Sequence, residues 1–122
     1  MANTREHWYA VSLTWNGNLG TGTSGYRDYS RNYEIVSESK PAIPGSADPA
    51  FRGDRSRWNP EELLVASLSA CHKLWYLHLA AEAGVIVTAY ADRAGGALEV
   101  EKDGVGQLER ARTPRSRRSG PV

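Results

Sequence analysis

Residues 59–84 read NPEELLVASLSACHKLWYLHLAAEAG, and the reading of this stretch sets the fold. Asn59 is a strong N-cap, and Pro60 suits the first helical position, where its missing N–H removes no bond. Glu62 falls three residues after the cap, as in a capping box. No Gly or Pro interrupts Pro60 to Ala83, and Gly84 stands where helices place a left-handed C′ residue. The pattern predicts one helix about 36 Å long, at about 1.5 Å per residue. Leu63, Leu64, Val65, Leu68, Leu74 and Leu77 leave little polar circumference, so the helix is expected to be central and buried, with the rest of the fold wrapped on it.

Upstream, Trp8 to Asn16 (WYAVSLTWN) partly alternates apolar and polar residues and reads as a strand. A glycine-rich turn, GNLGTGTSG, follows, and then a second strand at about Arg31 to Ser39. Lys40 to Arg57, rich in Pro, Gly and charge, reads as a long loop. Downstream, VIVTAYADR and Ala97 to Glu101 read as two strands joined through Gly95-Gly96, and Asp103-Gly104 signals a hairpin into a short segment at Val105 to Leu108. The order β-β, loop, α, β-β-β predicts an α+β domain of antiparallel strands on one long helix. Beyond Glu109 the periodicity stops, and 109–122 is expected to be a basic, irregular tail on a domain spanning 1–108.

At 122 residues the chain has room for one domain, and its net charge of +1 gives no general affinity for polyanions. That average hides an asymmetry: residues 1–109 hold 10 basic and 14 acidic groups, while the last thirteen positions hold Arg110, Arg112, Arg115, Arg117 and Arg118. Cys71 is the only cysteine, which excludes an internal disulfide and multi-thiol zinc sites and points to a reducing compartment. No apolar run approaches a membrane span, and the N-terminus has no apolar signal core. A cytoplasmic protein with no membrane partner is expected.

Four short motifs have bland explanations. Gly20-Thr-Gly-Thr-Ser-Gly25 matches a dinucleotide fingerprint, but a strand rather than a capped helix follows it, so a turn is expected. Cys71, Trp75 and His78 share a helix face, yet two ligands are too few for a metal. Cys71 and His78 also stand about 10 Å apart along the axis, too far for a nucleophile and its base. Arg52-Gly53-Asp54 is too short to be informative. The terminal arginines lack interleaved aromatics, so no nucleic-acid partner is expected. No metal or cofactor is expected either. For Cys71 itself, composition favours a small buried hydrophobe. A reactive cysteine would need a nearby cation, which Arg27, Arg31, Arg52, Arg55 or Arg57 could supply.

The run Asn59-Pro-Glu-Glu-Leu-Leu-Val-Ala-Ser-Leu-Ser-Ala-Cys71-His resembles the OsmC/Ohr family of thiol-dependent organic hydroperoxide reductases. The segments TWNGNLGTGTSGYRDYSRNYEI and GSADPAFRGDRSRWNPEELL resemble one OsmC-like branch, and the resemblance covers about Trp8 to Leu108. It implies an intertwined homodimer and a peroxiredoxin-like peroxidase in oxidative-stress defence, with Cys71 as the peroxidatic thiol. The family's glutamate falls on Glu61. Its arginine falls on Arg31 through the Tyr-x-x-Tyr-Ser-Arg pattern, with Arg27 and Arg52 as alternatives because loop length varies between branches. Glu61 and Cys71 are ten residues apart on one helix, about 15 Å along the axis and about 80° apart in azimuth, so a shared site would need another chain.

The family usually carries a second, resolving cysteine farther along, and this chain has none, so a truncated or divergent C-terminal end is expected. A Cys71 sulfenic acid would then depend on an external thiol or dithiol, whether a lipoyl protein or a small thiol. The competing expectation is a catalytically impaired remnant of the fold, acting as a binding or interaction module.

Overall fold

The computed structural model describes residues 5–100 and 106–119, with the main chain alone described at 100 and 106–119. The chain divides into two units, Met1–Pro60 and Glu61–Val122. The first holds an antiparallel sheet of three short strands: β1 (Ser12–Trp15), β2 (Tyr33–Val36) and β3 (Ile43–Gly45), in that spatial order. The second holds the helix α1 (Pro60–Glu82) and two long antiparallel strands, β4 (Ala89–Val100) and β5 (Gly106–Ser119). The architecture is α+β, with antiparallel strands and one long helix, as the sequence predicts.

Both ends of α1 follow the local chemistry. It starts at Pro60, directly after Asn59, with Glu61 and Glu62 in the first turn, where carboxylates complement the N-terminal dipole. It ends in a Schellman motif: Val85 N–H donates to Ala80 O at 2.8 Å and Gly84 N–H to Ala81 O at 3.2 Å, with Gly84 at φ 73°. That left-handed backbone strains any residue with a Cβ, so glycine is required there.

Burial departs from expectation. No residue of α1 is buried, and Leu74 and Trp75 are each 62% exposed. Among the described residues no apolar side chain is buried, while Ser46 and Asn59 are. The apolar circumference of α1 is real, and among the described residues its side chains are left partly open.

The segment read as a long loop is ordered and contains a strand. β3 pairs with β2 in the register Tyr33↔Gly45, Glu34↔Pro44 and Ile35↔Ile43. Ser46, fully buried, donates its N–H to Trp58 O at 2.7 Å and accepts from Asp54 N–H at 3.0 Å through Oγ. Arg57 closes the segment onto the sheet: Nε donates to Gly45 O at 2.9 Å, and NH2 reaches Tyr33 O and Glu34 Oε1, each at 2.8 Å.

Two further boundaries shift. β1 begins at Ser12 rather than Trp8, because its register with β2 runs only from Ser12↔Val36 to Trp15↔Tyr33. β4 runs unbroken through Gly95-Gly96, since both glycines pair with β5, opposite Arg112 and Ala111. β5 itself occupies most of the tail read as irregular. Main-chain pairing needs no side-chain periodicity, and the strand absorbs Thr113-Pro114 at a register shift, where a missing N–H breaks no ladder bond. The Asp103-Gly104 turn signal lies outside the described residues.

Candidate functional site

Cys71 lies midway along α1 and is exposed, which removes the reading of a buried hydrophobe. At about 100° per residue, Leu64, Leu68, Trp75 and Leu79 share its side of the helix. These four are also exposed, so Cys71 sits within an open apolar stripe. The other side of α1 meets β4: Ser69 Oγ donates to Asp92 Oδ2 at 2.7 Å, and the Tyr76 and Tyr90 rings lie 5.4 Å apart. The thiol therefore points away from the strand ladder.

One turn beyond Cys71, Leu74, Trp75 and His78 line a shallow apolar hollow. The Trp75 and His78 rings meet edge to face at 5.8 Å, and His78 Nε2 lies 3.7 Å from Glu82 Oε1. His78 is thus held toward the C-terminal end of the helix, away from Cys71. The hollow offers an apolar surface beside the thiol, a suitable rest for the hydrocarbon part of a small molecule.

Glu61 is half-buried in the first turn of the same helix. Because α1 is continuous from Pro60 to Glu82, the separation of about 15 Å along the axis between Glu61 and Cys71 stands. Within one chain the two side chains do not meet.

The arginines belong to the first unit and differ sharply in surroundings. Arg31 is half-buried, with its guanidinium carbon 3.9 Å from the Tyr29 ring centroid and 4.5 Å from that of Tyr26. Its NH1 donates to Tyr29 O at 2.9 Å. Two cation–π contacts and one hydrogen bond fix the plane of a group that has five N–H donors. Arg27 and Arg52 are exposed, and Arg52 caps the short 3-10 turn Pro49–Phe51 at φ 62°. Arg57 is committed to the sheet. Of Arg27, Arg31 and Arg52, it is Arg31 whose guanidinium is held in place, by Tyr26 and Tyr29. The Tyr-x-x-Tyr-Ser-Arg spacing is the sequence signal for that clamp.

Elsewhere the short motifs are engaged by local hydrogen bonds. Asn18 Oδ1 accepts from the N–H groups of Gly20 and Gly22 at 3.0 and 2.9 Å, so the glycine motif closes on its own side chain, and β2 follows it. In Arg52-Gly53-Asp54, Gly53 N–H is spent on Asp48 O at 3.0 Å. The Asp54 carboxyl is lowered from its ordinary value by hydrogen bonds from the side chain and then the main chain of Ser56, with a smaller contribution from Arg57. Among the described residues no three His, Cys, Asp or Glu side chains gather as metal ligands, and no helix is long and apolar enough to cross a membrane.

No family model matches the sequence, and no curated protein matches it. Among solved structures, the chain is similar to an OsmC-like protein of unknown function from Vibrio cholerae O1 biovar eltor str. N16961, with a TM-score of 0.76 and 27% identity. The alignment covers 96% of this chain and 79% of that one, and so extends past the stretch that carries the sequence resemblance. Fold and sequence pattern point to the same family.

Proposed function

From an OsmC-like chain with an exposed cysteine on its long helix, we propose a thiol-dependent peroxidase that reduces organic hydroperoxides in a reducing, cytoplasmic compartment. The observation that carries this reading is the placement of Cys71: open to solvent, within an apolar stripe, beside the hollow of Leu74, Trp75 and His78. The thiolate sulfur attacks the distal oxygen of the hydroperoxide, forming an S–O bond as the O–O bond breaks. The alkoxide leaves and takes a proton from water to become the alcohol, and Cys71 becomes a sulfenic acid. An external dithiol then returns two electrons, releasing water and restoring the thiol.

Arg31 stabilises the thiolate and the departing negative charge, and Glu61 orients that arginine. Glu61 and Cys71 lie about 15 Å apart along one helix, so the working site joins residues of two copies of the chain, in a homodimer that covers part of the apolar stripe of α1 and leaves Cys71 within reach of substrate. The test is turnover of cumene hydroperoxide by the full chain with a dithiol reductant. Turnover that is lost in Cys71→Ser supports the proposal; no turnover in the native chain, or turnover that survives the substitution, overturns it.

A further inference from the structure

Arg31 lies in the connection between β1 and β2, yet the residues on either side of it are tied to the end of β1. Ser30 N–H donates to Gly17 O at 2.9 Å, and Asn16 N–H donates to Asn32 O at 3.1 Å. Asn32 N–H in turn donates to Ser30 Oγ at 3.1 Å. The Ser30 carbonyl takes a further bond from the side chain of Trp15, the last residue of β1, whose Nε1 donates to it at 2.7 Å. The main chain is thus held on both flanks of Arg31.

The same indole reaches the ring that carries the cation. Trp15 and Tyr29 meet edge to face, with ring centroids 5.9 Å apart and planes at 81°, a geometry that aromatic quadrupoles favour. Tyr29 is half-buried, and the guanidinium carbon of Arg31 stands 3.9 Å from its ring centroid. Tyr26 also approaches, at 4.5 Å, but it is 60% exposed, and among the described residues no second ring braces it. Contact therefore runs from a strand, through Trp15 and Tyr29, to Arg31. Aromatic faces orient a cation without neutralising it. Among the described residues no carboxylate pairs with Arg31, and its hydrogen bond to Tyr29 O uses one of five N–H donors. The charge stays available to an anion.

We propose that Trp15 and Tyr29 are positioning residues of the peroxidase: Trp15 fixes the Tyr29 ring and the Ser30 carbonyl, and Tyr29 fixes the guanidinium of Arg31. This role rests on the reading of Cys71 as the peroxidatic thiol and Arg31 as its cation. Both residues act through Arg31 and take no part in the sulfur–oxygen exchange.

The test is a pair of double-mutant cycles on the full chain, read as the rate constant of Cys71 sulfenic-acid formation with cumene hydroperoxide. Tyr29→Leu, which removes the ring, is expected to slow oxidation about tenfold, and Trp15→Leu about fivefold, on the scale of one lost cation–π contact. Tyr29→Phe keeps the ring face and should recover most of the rate lost in Tyr29→Leu. Built on Arg31→Ala, Tyr29→Leu and Trp15→Leu should each change the rate by less than about twofold, because the group they position is gone. A folding lesion would instead slow the Arg31→Ala protein as much as the native one. Equal losses in both backgrounds, a native rate in Tyr29→Leu or in Trp15→Leu while Arg31→Ala is slow, or a Tyr29→Phe as slow as Tyr29→Leu would overturn the positioning role and leave the peroxidase reading standing. A rate unaffected by Arg31→Ala, or a thiol that the hydroperoxide does not oxidise, would overturn the positioning role together with the reading it rests on.

Discussion

The guanidinium of Arg31 lies over the rings of Tyr26 and Tyr29 and donates to Tyr29 O, so its own loop already restricts it before the proposed Glu61 partner or any substrate engages it. A cation held this way loses less freedom when it engages an anion than an exposed, rotating arginine such as Arg27 or Arg52. Arg31→Ala is therefore expected to slow Cys71 oxidation by about 10- to 100-fold near neutral pH, a loss of one strong charge contact. Arg27→Ala and Arg52→Ala should stay within about twofold of wild type. Rapid-mixing measurements on the three variants separate them; equal losses in all three would remove Arg31 from its role.

Asp54 gives a second residue-scale test. Its carboxylate accepts from Ser56 N–H at 2.9 Å and Ser56 Oγ at 2.7 Å, which lowers its protonation below the ordinary 3.8. A lowered carboxyl stabilises the fold above the unfolded-state value, and that contribution fades as pH falls through the folded-state value. Asp54→Ala should thus melt below wild type near neutral pH, and the difference should shrink as pH falls below the ordinary carboxylate range. A difference that persists or grows in acid would contradict this origin.

The elements show where sequence is informative and where it is not. Both ends of α1 are legible because capping chemistry is local: Asn59-Pro60 opens the helix and Gly84 closes it within a few residues. β3 is not legible, because Ile43-Pro-Gly45 has no strand signature and forms only against β2. The continuity of β4 and most of β5 are hidden for the same reason: Gly95-Gly96 and Thr113-Pro114 look like breaks until a partner strand supplies their register. The site divides similarly. Cys71, Glu61 and Arg31 follow from motif resemblance, whereas the tyrosine clamp and the commitment of Arg57 to Glu34 need coordinates. Close approach likewise shows only in three dimensions. Gly17 accepts from Ser30 N–H at 2.9 Å, and a Cβ there would collide with Ser30 O and the Trp15 indole N–H. That N–H already donates to Ser30 O at 2.7 Å. Gly17→Ala should cost about 1 to 3 kcal/mol, read as a lowered denaturant midpoint. An unchanged midpoint would mean that the turn between β1 and β2 can open without penalty.

On the scale of the whole molecule, the outstanding feature is apolar surface without cover. Trp8, Leu13, Leu68 and Trp75 are all more than half exposed, and among the described residues no apolar side chain is buried. Monomeric proteins seldom leave so much apolar surface open, and the proposed homodimer would cover part of that on the helix. Folding linked to association makes stability depend on protomer concentration. The melting temperature is expected to rise with concentration, and Leu68→Glu with Trp75→Glu should yield a smaller species by sedimentation and a lower, concentration-independent transition. A native chain that sediments as a monomer and melts at one temperature across a hundredfold dilution would contradict the shared site as well as the dimer.

Peroxidatic chemistry at Cys71 is tested most directly by its rate of sulfenic-acid formation, followed with a trapping reagent and mass spectrometry, using Cys71→Ser as control. If the thiol works beside an apolar hollow, cumene hydroperoxide should oxidise Cys71 at least tenfold faster than hydrogen peroxide, by roughly the free energy of burying a few CH₂ groups. Slow oxidation with no preference between the two peroxides would contradict it, leaving a fold that binds without reducing.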